Sequence, residues 1–132
     1  MDTEEILNKV KQDFKFIEKR HDVLGVLVFG SIVRGEHISR SDIDICIVAP
    51  ETENLDELIN YVFSNVYNEK YDIKFFEILP LRLKIEIIKN HIVIYSKDLP
   101  ALYEYFYFYR KIWKDQEKRN TLTLGDLKTI LS

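Results

Sequence analysis

The 132-residue chain carries one cysteine, four glycines and three prolines. A single thiol excludes an intrachain disulfide framework and a cysteine-based structural zinc site. Cys46 stands inside an apolar run and reads as a small buried hydrophobe. Long hydrophobic runs are missing as well: stretches such as "VLGVLVF" are far too short to span a bilayer. The first residues, "MDTEEILNKVKQ", carry acids and an amphipathic pattern where a signal peptide has a basic start and an apolar stretch, so a cytoplasmic protein is expected. Positive charge is also in short supply. Nineteen Lys and Arg against 22 Asp and Glu give a net charge of -3. That balance argues against a chain-wide grip on nucleic acid, although it leaves room for a local basic patch.

What is present suits one soluble domain: 46% hydrophobic and 31% charged residues, with no repeats, low-complexity tracts or linkers. Ile6, Val10, Phe14 and Ile17 recur at steps of three or four, which predicts a helix from Asp2 to about Arg20. "VLGVLVF" (23–29) reads as a central strand, and "SIVRGE" as a short helical turn behind Gly30. "DIDICIVA" (42–49) predicts a strand with Ile43, Ile45 and Ile47 on one face and Asp42, Asp44 and Cys46 on the other. A helix follows Pro50, with Leu55, Leu58, Ile59, Val62, Phe63 and Val66 as its stripe. "YDIKFFEIL" (71–79) is a third strand, with Asp72, Lys74 and Phe76 on one face and Glu77 on the other. Pro80 opens a helix to about Asn90, and "HIVIY" (91–95) is a fourth strand. The order implies an α/β (α+β) domain, a small mixed sheet flanked by helices. Residues 1–132 are one domain in this reading, with a core over 1–97, a long helix over 98–119 and a tail of unassigned order over 120–132.

The chemistry concentrates in "GSIVRGEHISRSDIDICI" (30–47). Strand alternation puts Asp42 and Asp44 on one face about 7 Å apart, a spacing that can hold a divalent cation. Taken alone, the pair equally describes a solvated strand end with Ser41 and Asp42 in a turn. Gly30 closes a strand and Ser31 opens a helical turn, where backbone N–H groups and a hydroxyl suit a phosphate, and a glycine there permits close backbone approach. A Gly-Ser pair by itself is more often only a turn, and it is neither a P-loop nor a dinucleotide fingerprint.

Together, the Gly-Ser turn, Arg34-Gly35 and the Ser41-Asp42-x-Asp44 run resemble the signature of the polymerase-beta nucleotidyltransferase superfamily, GSxARGxxxxxSDxDLxV in its small members; Val33 stands where Ala is usual. The element order extends the likeness to the minimal nucleotidyltransferases (MNT), found in prokaryotes beside HEPN-domain partners. The resemblance implies a polymerase-beta-type fold and two Mg²⁺ ions, or Mn²⁺, held by Asp42, Asp44 and a third carboxylate. Asp72 in "KYDIKFFEI" is the best match for that third acid, and Glu77 is a poorer one because its face is opposite. Gly30, Ser31, Arg34 and Ser41 are then the nucleotide-binding set. Ser31 and the Gly30 backbone hold the triphosphate, Arg34 meets phosphate or fixes its loop through an acid, and Ser41 caps its turn. Lys74 is a weaker phosphate candidate, while His21, His37 and His91 show no ligand spacing.

What the resemblance implies of function is AMP transfer from ATP to a hydroxyl, a tyrosine of a partner HEPN ribonuclease toxin, with the protein as antitoxin. Alternatives are a nucleotide-binding or HEPN-blocking module without turnover, and a transferase acting on a small molecule or an RNA end. In the last helix, Leu102, Phe106, Tyr109 and Trp113 follow a core-facing stripe, with Tyr105, Phe108 and Ile112 widening it. Tyr103 and Tyr107 carry aromatic surface further round, where the HEPN protein or a second copy of the chain would dock.

Overall fold

The N-terminal stripe is buried as its spacing predicts, although the helix expected to reach about Arg20 ends at Asp13. In the computed structural model, which describes residues 2–37 and 40–131, with side chains of the last helix described through Arg119, Ile6, Val10, Phe14 and Ile17 are all buried. Helix α1 covers Thr3–Asp13, and a 3-10 turn over Lys15–Lys19 carries Ile17. Asp2 caps α1 by accepting the Glu5 N–H at 2.8 Å, which satisfies one of the donors a helix start leaves open. Strands β1 (Gly25–Phe29) and β2 (Ile43–Val48) follow, then α2 (Leu55–Asn65), β3 (Tyr71–Phe75), α3 (Leu81–Lys89), β4 (His91–Ser96) and α4 (Leu99–Leu131).

The four strands form one mixed sheet in the order β3-β2-β1-β4, with β1 antiparallel to β2 and β4, and β2 parallel to β3. Because β1 and β2 are central and covered on both faces, every β1 residue is buried, which is why this strand reads as an unbroken apolar run. On one face α1 and α2 pack Val10, Leu58 and Val62 against Val26, Ile45 and Ile47. On the other, α3 and α4 pack Ile85, Ile88, Leu102 and Phe106 against Leu27, Cys46 and Val48. The predicted alternation along β2 therefore holds, and Cys46 is fully buried.

Two differences follow from the end of β3. The strand stops at Phe75, and a 3-10 turn over Phe76–Ile78 breaks the period-two alternation. Glu77 consequently turns toward α4 instead of lying on the face away from Asp72. Its carboxylate accepts the Ala49 N–H and the Tyr105 hydroxyl, each at 2.9 Å. Glu77 is thus a structural tie between the sheet and α4. Burial raises its proton affinity, and these bonds together with the charge of Lys84 oppose the rise.

Asp98 caps α4 by accepting the Ala101 N–H at 3.1 Å, and the helix continues through the positions read as a tail. Leu102 and Phe106 are buried, while Tyr109 and Trp113 pack half-buried beside them. Tyr103, Tyr107 and Phe108 remain 49%, 67% and 56% exposed. Among the described residues, no helix is long and apolar enough to cross a membrane.

Candidate active site

The strand register assembles the site. Phe29, the last residue of β1, pairs with Asp44, and Asp44 pairs in turn with Asp72 across the parallel β2–β3 ladder. Neighbouring strands lie about 4.8 Å apart, so the two carboxylates leave adjacent backbones on the same sheet face. Asp42 stands two residues before Asp44, at the strand entrance and exposed, while Asp44 and Asp72 are half-buried. The three predicted acids therefore lie together near the starts of β2 and β3, beside the end of β1. Ser41, half-buried, precedes them.

Gly30 follows Phe29 and holds a φ of +81°, a left-handed conformation that favours glycine. Its carbonyl accepts the N–H groups of Val33 and Arg34, closing the 3-10 turn Gly30–Ile32 over the end of β1. A Cβ built on Gly30 would collide with Oδ2 of Asp44 and lie 3.1 Å from its Cγ. Glycine is thus required first by the neighbouring carboxylate, a reason beyond the backbone approach expected from the sequence. Gly35, with a φ of +72°, lets the same loop turn back.

Charge is unevenly balanced here. Burial, then the charge of Asp72, raises the proton affinity of Asp44; Lys74 and Arg34 oppose this and Asp42 adds to it. The Lys74 Nζ donates to Oδ2 and Oδ1 of Asp72 at 3.2 and 3.4 Å. Arg34 pairs with Glu36 of its own loop at 3.0 Å, the loop-fixing alternative of its two expected roles. Among the described residues, no three His, Cys, Asp or Glu side chains form a preformed metal cage. The three carboxylates nonetheless supply oxygen donors of the kind a hard cation takes, and burial together with the charge of Asp72 keeps Asp44 reluctant to ionise.

A cavity of about 430 Å³ opens at this edge, lined by Gly30, Arg34 and Asp44 on one side and by Leu83 and Glu86 of α3 and Asn90, which caps its end, on the other. These residues were not singled out from the sequence; Leu83 and Glu86, three apart, share a face of α3, and Asn90 follows at its C-terminal cap. Hollows of about 460 and 600 Å³ lie near His21, Asp22, Glu51 and Lys97, remote from the paired aspartates. There the Arg20 guanidinium is already engaged, binding Asp22 at 2.9 Å and Glu57 at 2.7 Å. His91 turns its Nδ1 to the carbonyls of Ile87 and Ile88 and packs edge-on to Phe106, a structural role. Neither His21 nor His37 lines the aspartate cavity.

The profile of the family described as "Polymerase beta, Nucleotidyltransferase" matches residues 8–99. The chain belongs to this family. It is a nucleotidyltransferase domain, and its acids and glycine turn occupy the edge just described. A Methanocaldococcus jannaschii relative, named protein adenylyltransferase MJ1547, is 48% identical over 97 residues, 74% of this chain and 75% of that protein. Among solved structures, a chain of the tri-AMPylated Shewanella oneidensis HEPN toxin in complex with MNT antitoxin superposes with a TM-score of 0.60. Its identity is 14%, over 95% of this chain and 98% of that one. A toxin–antitoxin structure with AMP-PNP gives a TM-score of 0.60 at 16% identity, over 92% and 97% of the two chains. At those identities the superpositions speak for the polymerase-beta-type fold.

Proposed function

We propose that this nucleotidyltransferase moves AMP from ATP to a tyrosine hydroxyl of a HEPN-type partner toxin, and so acts as an antitoxin. The observation that carries the reading is the register of Asp44 and Asp72 on parallel strands, with Gly30 closed against Asp44 and Asp42 one step outside. A binding module has no need of three acids crowded at unfavourable charge, whereas phosphoryl transfer needs negative charge gathered around cations. The 48% identical relative named as a protein adenylyltransferase supports the reaction class, and the toxin–antitoxin structures sharing the fold support the partner.

Asp42, Asp44 and Asp72 would hold Mg²⁺ or Mn²⁺, which when bound neutralises charge on the phosphate oxygens. The Gly30–Ser31 turn receives the triphosphate, and Arg34 is close enough to the cavity to leave Glu36 for an outer phosphate. The acceptor oxygen bonds to the α-phosphorus as the bond to pyrophosphate breaks, and pyrophosphate leaves with that electron pair. The hydroxyl proton passes to Asp72. The exposed Tyr103 and Tyr107 of α4 form the surface for the HEPN partner.

The test is incubation of the chain with the candidate partner and ATP labelled at either the α- or the γ-phosphorus. Label from the α position should appear on the partner and be lost when its tyrosines are replaced by phenylalanine. The double variant Asp42→Asn with Asp44→Asn should transfer nothing while keeping its circular dichroism spectrum, and Asp72→Asn should stop turnover while retaining part of the nucleotide binding. Transfer by the double variant, or partner label only from the γ position, would sink the proposal.

A further inference from the structure

The two walls of the 430 Å³ cavity differ in chemistry. One wall is formed by Gly30, Arg34 and Asp44, a glycine turn, a cation and a carboxylate that suit a polyphosphate with its cations. The other wall is α3, and it presents no cation to the cavity: Leu83 is apolar, Asn90 is a neutral amide and Glu86 is an acid. Glu86 is exposed and makes no ion pair among the described residues. Packing explains only part of this face: Leu83 lies half-buried against the core, while Glu86 and Asn90 stay exposed.

An unpaired carboxylate repels a phosphate chain and is matched by neutral hydroxyl or amine donors. A nucleoside supplies both, as ribose hydroxyls and an exocyclic amine. The amide of Asn90 sets an N–H donor beside a carbonyl acceptor, the pattern that pairs with the edge of adenine. Leu83 offers an apolar surface to a flat ring. A carboxylate that accepts from ribose hydroxyls is a recurring way of holding that sugar, and the cavity volume lies within the range of small-ligand sites, roughly 300–1,000 Å³.

We propose that Leu83, Glu86 and Asn90 form a nucleoside-reading wall, with Glu86 accepting from the ribose, so that the site selects a ribonucleoside triphosphate and not merely a polyphosphate. The proposal rests on the nucleotidyl-transfer reading and adds substrate-specificity residues on an element outside the glycine–aspartate motif.

Calorimetry on the full chain with Mg²⁺ tests it, using three probes: α,β-methylene-ATP, whose α–β bridge blocks transfer, its 2′-deoxy counterpart, and inorganic tripolyphosphate. The native chain should bind the ribonucleotide analogue about tenfold or more tighter than either of the others, since a site built to hydrogen-bond a hydroxyl rejects the analogue lacking it. Glu86→Ala should bring the ribo-to-deoxy ratio to within about twofold of one, leaving tripolyphosphate binding unchanged or tighter because a repelling charge has gone. Asn90→Ala should lower the ratio of nucleotide to tripolyphosphate affinity, and Glu86→Gln, which keeps an acceptor oxygen, should retain part of the sugar preference. Equal weakening of all three probes by Glu86→Ala and Asn90→Ala would overturn the proposal, because the residues would then serve only the integrity of the site. So would a native chain that binds all three alike, a result that leaves the phosphate and metal reading standing. A native chain that binds none of them would remove the nucleotidyl-transfer reading, and the proposal with it.

Discussion

Asp44 is enclosed by Gly30 behind it, by Asp72 on the next strand and by Asp42 two residues earlier. At Gly30 two penalties coincide, since an L-residue strains at a φ of +81° and its Cβ meets the Asp44 carboxylate. Gly30→Ala should therefore cost about 1–3 kcal/mol in urea unfolding and suppress transfer together. Retention of full activity and stability would show that the turn relaxes freely. Lys74 is the nearest counter-charge to Asp72 and must yield or move if a cation is to take that carboxylate. Because the pair is partly exposed and worth about 1 kcal/mol or less, Lys74→Met should tighten Mn²⁺ binding to the nucleotide-free chain by up to about fivefold, read by electron paramagnetic resonance. Weaker Mn²⁺ binding in that variant would mean that Lys74 supports the acid set and does not compete for it.

At the scale of elements, α4 carries two kinds of aromatic residue with different expected costs. Phe106 is buried against Phe76 and His91, so Phe106→Ala should destabilise the fold by about 3–5 kcal/mol, as truncations of core aromatics do. Tyr103 and Tyr107 are exposed, so Tyr103→Glu with Tyr107→Glu should leave the unfolding midpoint nearly unchanged while weakening the complex with the proposed HEPN-type partner in size-exclusion or calorimetric measurements. An unaltered complex, or an unfolded variant, would refute the docking surface. The same helix marks where sequence reading succeeds and stops. Leu102 and Phe106 were legible because a helix repeats its buried face every three or four residues. Asp42, Asp44 and Gly30 were legible because they lie within fifteen positions of one another. Asp72 needed the family pattern, since only the β2–β3 register brings it beside Asp44. Glu77 was misplaced because a 3-10 turn ends the alternation that its face was read from. The α3 wall was passed over because the direction a helix faces is set by packing against β1 and α4, and its spacing alone cannot say which cavity it meets.

For the whole molecule, the site stands as a local reversal of how the fold is otherwise stabilised. Two other partly buried acids are satisfied: Asp22 is held below the usual carboxylate range by its bond to Arg20, and Glu77, although burial raises it, accepts two hydrogen bonds. Asp44 is raised instead, first by burial and then by Asp72. A carboxyl that binds its proton more tightly when folded opposes folding once it ionises. The stability associated with the protonated form is fully present below the ordinary value of 3.8 and is lost as pH rises through the raised value. Metal-free Asp44→Asn should therefore melt at a higher temperature than the native chain at pH 7, and the gap should close as pH falls toward the ordinary carboxylate value, where both side chains are neutral. Transfer should be abolished in the same variant, so that one substitution raises stability and removes function, the trade expected where an active site keeps charge that the fold would discard. Added Mg²⁺ should raise the melting temperature of the native chain more than that of Asp44→Asn, because binding to the folded state alone stabilises it. A lower melting temperature for Asp44→Asn at pH 7 without metal would show that the carboxylate is held by favourable contacts, and the crowding of charge at this edge would no longer explain why a cation belongs there.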